Sequence, residues 1–429
     1  MSRQTRRTFL AAVGAASLAG CAGITDSGGT PSSTTDGTTT GSPGDGTSNG
    51  DGTTPSGQGG ARQLEDFEKL QKWHPVEGMG SLNASKDSYT GSQAARVKGG
   101  STNEGKIFSA QFGSNGLDLS GQNLSFAYKC TSHDFSKISV ELHAPDSGHV
   151  VELKRTVLGP KDTWMRINLG TTDIMRPKSV DLSKVYQVRI VGRPRDHTSN
   201  KPVEFLVDDL QAVPSPKKGK VMLTFDDGLA SHYTKAYKKM KQYGFPGVDA
   251  VITEAVYDDG FLTTGQMREM TKDGWEMIAH PNVGATPMPE MSKKKQASLI
   301  ADSQQWLKRH GFDGHKYMAV PKNSVGKDTF ALAQKNFDLT FSFGGSPNAL
   351  PATTKDTVLS RIYADDVRKV KRMVDFAADY KQLTIPMFHR IGGKNGLPEK
   401  DFDTMLKYIK KKNVDVVTPS DLKEQGLLR

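Results

Sequence analysis

Two patterns of apolar and polar positions divide the chain. From about residue 63 to 214, short runs alternate at a period of two, as in Leu124-Ser125-Phe126-Ala127-Tyr128, Ile138-Ser139-Val140-Glu141-Leu142 and Glu204-Phe205-Leu206-Val207. Asp, Gly, Ser and Asn separate the runs and no stretch carries convincing helical spacing, which predicts an all-β sandwich. From about 218 to 429 the pattern changes. Near-continuous apolar runs at 221–225, 248–253, 276–280, 317–321, 339–343, 359–363, 383–389 and 414–417 read as strands. Amphipathic stretches from about 231 and at 264–272, 292–310, 328–335, 365–378 and 399–411 read as the helices between them. Seven or eight such βα units predict a parallel barrel with its helices outside.

The polar residues of this second half gather at strand ends. Asp226 and Asp227 end the first strand, His280 the third and His389 the seventh. In a parallel barrel the C-terminal strand ends share one face, so residues from three separate strands converge there. Adjacent aspartates at the end of a buried strand repel each other, and a metal ion, a basic side chain or a shared proton must offset them. Gly228 allows the tight turn that aims both carboxylates at one place. A lone histidine after an apolar run is usually a satisfied core residue; convergence from three strand ends favours function instead.

Thr224-Phe225-Asp226-Asp227-Gly228 resembles the first motif of the polysaccharide deacetylase (NodB-homology, carbohydrate esterase family 4) domain, and the resemblance covers about the last half of the chain. It implies an irregular (β/α)7-type barrel and metal-dependent removal of acetyl groups from an N- or O-acetylated polysaccharide. By the same resemblance Asp226 is the general base and Asp227 binds a divalent ion, zinc by preference. Trp275 to His280 matches the approach to the family's H-x-x-x-H segment and makes His280 an imidazole ligand. Ile385-Pro386-Met387-Phe388-His389 makes His389 the general acid for the leaving amine. An amide is a poor electrophile with a poor leaving group, so a metal, a base and an acid are the parts its hydrolysis needs.

The chain also departs from the family pattern. Gly284 stands four residues after His280, where a second histidine belongs. Ala319-Val320-Pro321-Lys322-Asn323 occupies the place of an R-P-P-Y-G segment, and no tryptophan or clear aspartate follows near Phe341-Ser342-Phe343-Gly344. Lys322 is therefore the candidate cation beside Asp226, and Lys322 and Asn323 are candidate substrate-binding residues. Asn282 and His232 are the nearest replacements for the lost ligand; asparagine binds transition metals poorly, and His232, on the opening turn of the first helix, is expected to point outward. Two readings stay open: a remodelled deacetylase, or a catalytically inactive glycan-binding surface lipoprotein on a deacetylase fold.

The remaining features bear on location and partners. The net charge of +10 comes from lysines and arginines spread over both halves, often beside acids, which reads as solvated helix faces and argues against nucleic-acid binding. Cys21 and Cys130 are the two cysteines, which excludes a disulfide framework and a cysteine zinc site. Arg6-Arg7-Thr8-Phe9-Leu10, a short apolar run at 11–19 and Leu18-Ala19-Gly20-Cys21 resemble a twin-arginine export signal ending in a lipobox, with Cys21 lipidated. Residues 22–62 are almost all Gly, Ser, Thr, Asp and Pro and predict a disordered linker. The expected arrangement is an exported protein, anchored by lipid on the extracellular face and acting on an extracellular polysaccharide. Leu64 to Glu68 and Val207 to Leu210 resemble the two ends of jelly-roll, galactose-binding-like modules of carbohydrate-active enzymes, so Glu65, Glu68, Asp208 and Asp209 are weighed as calcium ligands against plain solvated acids. Sequons at Asn83 and Asn123 predict exposed loops if they are used.

Overall fold

The computed structural model of the chain describes residues 60–112, 115–196 and 198–429. Cys21, the expected export signal and nearly all of the expected linker lie outside those residues. The alternating runs form two six-stranded sheets. One has the order Ser81–Ser85, Ala94–Lys98, Glu204–Pro214, Gln122–Cys130 and Met165–Asn168, with Arg62–Glu65 added along Glu204–Pro214. The other runs Thr171–Met175, Val150–Leu158, Phe135–His143, Gln187–Pro194, Gly105–Ser109 and His74–Pro75. Phe126, Tyr128 and Phe205 from the first sheet and Ile107, Ile138 and Ile190 from the second lose nearly all solvent contact in one shared core, as period-two alternation dictates.

At Gly219 the pairing becomes parallel. A closed seven-stranded barrel contains Thr224–Asp227, Val248–Val251, Glu276–Ala279, Tyr317–Ala319, Leu339–Phe343, Leu359–Tyr363 and Pro386–Phe388. The run expected as one strand at 221–225 divides. Gly219–Val221 joins Leu383–Thr384 and Val414–Val416 in a separate three-stranded parallel sheet, and only from Thr224 does the chain enter the barrel. An apolar run cannot reveal such a break, because both pieces are buried. For the same reason 414–417 is a strand but not part of the barrel.

Alternation along the barrel strands separates two sets of side chains. Val248, Ala250, Ile278, Tyr317, Ala319, Leu339, Phe341 and Leu359 pack with one another and fill the barrel. Phe225, Val251, Met277 and Met318 pack outward, towards the helices. Asp226 pairs in register with inward Ala250, whereas Phe225 pairs with Asp249, which therefore faces out. Phe225 stacks on Trp275 and Phe388, each with ring centroids 5.1 Å away, and meets Phe402 of the helix Glu399–Lys410 edge-on at 6.1 Å. These contacts clamp the first barrel strand against its helices just before the two aspartates.

The antiparallel and parallel parts meet through buried polar bonds. Asn123 Nδ2 donates to the carbonyls of Leu350 and Lys381, and Gln382 Nε2 donates to Asn123 Oδ1. The sequon asparagine is thus buried rather than on an exposed loop. Neither reading of the sandwich acids holds in full: Glu65, Asp208 and Asp209 are buried rather than solvated, and the carboxylates are taken up by donors of the protein rather than arranged for calcium. Glu65 accepts from Phe67 N–H and the Trp73 indole, Glu68 from Ser92 and Gln93, and Asp208 from the N–H groups of Tyr89, Thr90 and Asp209. Asp209 is paired with Arg166 at 2.9 Å. Carboxylates ringed by N–H donors present hydrogens where calcium needs oxygens.

Truncating Phe225 removes the ring common to these stacks. Phe225→Ala is expected to lower unfolding stability by about 3–5 kcal/mol, read as a fall in the urea midpoint followed by circular dichroism.

Candidate active site

Asp226 points into the barrel from the end of the first strand and is almost fully buried. Its partner is Arg361, from the middle of the sixth strand, Leu359–Tyr363. Nη1 of Arg361 lies 2.6 Å from Oδ1 and Nη2 lies 3.0 Å from Oδ2, a bidentate pair with no solvent reaching the guanidinium. Burial alone would push the Asp226 carboxyl up. The Arg361 guanidinium, with smaller help from the imidazoles of His280 and His389, outweighs that and holds it down to about 2.

Arg361 is held in turn. Its Nη2 also donates to Asn323 Oδ1 at 3.2 Å, and the same oxygen accepts from Phe343 N–H at 2.9 Å. Asn323 Nδ2 reaches the Tyr363 hydroxyl at 3.4 Å, so both ends of its amide are engaged within the protein. The cation beside Asp226 is therefore Arg361 and not Lys322, which is exposed on a turn where Lys322 and Asn323 both take left-handed backbone angles. The turn swings Asn323 inward while Lys322 faces solvent. Asn323 braces Arg361 instead of presenting a free amide to a substrate. The sequence carried a signal for Arg361: an arginine inside a run buried on both faces requires an acid, and Asp226 required a cation.

Asp227 has φ +83°, a conformation that only the turn into Gly228 explains, and its side chain remains partly exposed. The turn places Asp227 Oδ1 3.6 Å from His280 Nε2. His280 Nδ1 donates to the Ala319 carbonyl at 2.9 Å, which in the neutral ring fixes the proton on that nitrogen and leaves Nε2 to face Asp227. Ligand bonds of about 2.0–2.2 Å in a tetrahedral shell separate neighbouring donor atoms by about 3.3–3.6 Å. Asp227 and His280 therefore fit two corners of a zinc-type site. No third imidazole or carboxylate joins them: among the described residues no group of three His, Cys, Asp or Glu side chains is placed to share an ion. Gly284, at the position of the absent histidine, donates its N–H to Asn282 Oδ1 at 3.2 Å.

His389 follows the seventh strand and is exposed at the barrel mouth. Its backbone carbonyl accepts from Nε2 of His232 at 3.0 Å. His232 was expected to point outward; instead it is completely buried beneath the first helical turn, with Nδ1 2.8 Å from Asp249 Oδ2. Burial pushes the His232 ring down and the Asp249 carboxylate more than offsets it, so its pKa is raised. With both nitrogens occupied, His232 is no replacement ligand. Its place follows from register: Asp249 faces out of the barrel beside Phe225, and His232 packs on that ring at 5.2 Å.

Because Asp226 titrates lower folded than unfolded, its pairing stabilises the fold above about pH 4 and loses that contribution as pH falls from about 4 towards 2. Arg361→Leu strands a buried carboxylate and is expected to cost about 3–5 kcal/mol at pH 7. The deficit relative to wild type should shrink in urea titrations run at pH 3.

Residues 214–341 match the family model described as polysaccharide deacetylase. That stretch takes in Asp226, Asp227 and His280 and stops short of Arg361 and His389. A Bacillus subtilis protein whose provisional name is polysaccharide deacetylase YxkH is 26% identical over 120 residues, which are 28% of this chain and 43% of that protein. The chain thus spans less than half the length of this curated relative. Among solved structures, the Streptococcus pyogenes deacetylase PplD, in complex with acetate, is 26% identical over 29% of this chain and 57% of its own, with a TM-score of 0.28. A family 4 acetyl xylan esterase from Clostridium thermocellum, in complex with a cobalt ion, is 19% identical over 48% of this chain and 92% of its own, with a TM-score of 0.36. A polysaccharide deacetylase domain is accordingly supported at residues 214–341, the part of the barrel that carries the aspartate pair and His280.

Proposed function

We propose that the barrel is a metal-dependent deacetylase acting on an N- or O-acetylated extracellular polysaccharide. The observation that carries this reading is the facing pair of Asp227 Oδ1 and His280 Nε2, 3.6 Å apart, with the imidazole tautomer set by the Ala319 carbonyl. A divalent ion bound there supplies Lewis-acid polarisation of the acyl carbonyl and acidifies water. The chain's own residues do the rest. Asp226, kept ionised by Arg361, retains oxygen lone pairs that orient the attacking water and accept its proton. His389 is exposed at the mouth with its backbone carbonyl tied to His232, and in this reading its imidazole protonates the departing amine or alcohol.

A second reading rests on Gly284. With only two side chains for an ion, the barrel would retain a glycan and not hydrolyse it. Metal content by mass spectrometry and acetate release from acetylated polysaccharides separate the two. The purified chain is expected to carry a divalent ion and release acetate, and Asp227→Ala to lose the ion and at least about 100-fold of the rate. Glycan affinity indifferent to chelators and to Asp226→Asn, without acetate release, would establish the binding reading instead.

The same proposal places the protein outside the cell on a lipid at Cys21. Cys21→Ser should move it from the membrane fraction to the soluble fraction; a variant that stays membrane-bound would end the lipoprotein reading.

A further inference from the structure

Arg155 is a buried cation that the chemistry above does not use. It belongs to the antiparallel half, in the strand Val150–Leu158, yet its guanidinium reaches into the parallel half. Nη1 donates to Asn348 Oδ1 at 3.2 Å and Nη2 donates to the Val358 carbonyl. Both acceptors are neutral, and no ion pair to Arg155 is found among the described residues. Burial accordingly lowers its pKa to about 9. Burying a guanidinium without a carboxylate is costly, and an apolar side chain would fill the space more cheaply. The position calls for hydrogen bonds that only a long, forked donor can make.

Two routes lead from this strand to Arg361, the first through the Arg155 side chain. Asn348 Oδ1, besides meeting Arg155, accepts from Ser360 N–H at 2.8 Å, and Asn348 Nδ2 donates to the Ser360 carbonyl at 2.9 Å. The side chain thus holds both backbone polar groups of the residue preceding Arg361. The second route is backbone. Thr156 N–H, next to Arg155, donates to the Gly344 carbonyl at 2.9 Å, while Gly344 and Gly345 N–H donate to the Arg361 carbonyl at 3.1 and 3.0 Å. A Cβ on Gly344 would lie 2.4 Å from both Arg155 Nε and Ser360 Oγ, so only glycine lets Arg155 lie this close to the sixth barrel strand.

We propose that the antiparallel half is a positioning element for Arg361, acting through Arg155, and that it is not merely a module tethered beside the barrel. Arg155 touches neither substrate nor Asp226. It fixes the strand from which Arg361 grips Asp226, where displacement by a fraction of an ångström would open the bidentate pair. In kinetic terms this rests on the deacetylase reading above.

The test compares two interface variants of the full chain. Arg155→Met cuts the side-chain route to Arg361 and leaves the Thr156–Gly344 backbone route in place, whereas Asn123→Ala removes interface bonds to Leu350 and Lys381 that lie on neither route. Arg155→Met is expected to lower kcat for acetate release at least tenfold with KM within twofold, and Arg155→Lys to recover part of that loss. Asn123→Ala should leave kcat within twofold even where its urea midpoint falls as far. The 15N guanidinium spectrum of Arg361, assigned with Arg361→Lys, should be sharp in wild type and broadened in Arg155→Met only. Equal kcat and unchanged Arg361 signals in Arg155→Met would overturn the proposal. If Arg155→Met does not fold, Asn348→Ser, which keeps Arg155 and cuts the grip on Ser360, carries the same expectations and the same refutation. If the wild type releases no acetate, the deacetylase reading falls, and the Arg361 spectrum alone decides whether Arg155 positions it.

Discussion

The bidentate pair of Arg361 and Asp226 is the constraint around which the barrel mouth is built. A carboxylate and a guanidinium inside a barrel each lose their hydration, and either one alone would be strongly destabilising. Together they set conditions on several other residues. The pair needs inward positions on the first and sixth strands at matching height, which alternation and parallel register provide. The guanidinium then needs an acceptor for its remaining Nη2 hydrogen, which Asn323 supplies at the cost of two consecutive left-handed residues. One group remains unanswered: Arg361 Nε is buried with no partner among the described residues.

The Asp227–His280 corner and the support of the His389 backbone are organised on opposite sides of the barrel wall. Inside, the Ala319 carbonyl fixes the tautomer of His280, and the strained turn at Asp227 brings a carboxylate to face its free nitrogen. Outside, Asp249 and His232 form a buried unit under the first helical turn, tied to the backbone of His389. Pairing with Asp249 Oδ2 satisfies His232 Nδ1, while Asp249 Oδ1 stays buried without a partner among the described residues. The two sides share the first strand, whose Phe225 packs against His232 while its neighbours Asp226 and Asp227 turn to the mouth. The geometry at the mouth therefore depends on packing behind the wall.

Much of this was legible in order along the chain. Helices at 264–272, 292–310 and 399–411 and strands at 339–343 and 359–363 were readable because each is a local pattern of apolar spacing. So was the convergence of Asp226, Asp227 and His280, because parallel strands must end on one face. The opposite holds for the break at Met222 and Leu223, where a single apolar run serves two sheets. Nor did spacing reveal that Glu65, Glu68 and Asp208 would face N–H donors, or that Asn123 would be buried against Leu350.

By itself, the sequence determined which residues of each strand share a face and which strand ends carry titratable groups. Those follow from a period of two and from strand direction, both local properties. Only the tertiary structure decided the partners. Arg361 meets Asp226 across 135 positions, His232 meets Asp249 beneath a helix, and Arg155 reaches Asn348 from the other half of the chain. Each pairing depends on register, barrel closure and the contact between the two halves, and no window of sequence contains those. Lys322 illustrates the difference: it stood where sequence order placed the cation, but the nearest position along the chain was not the nearest in the barrel.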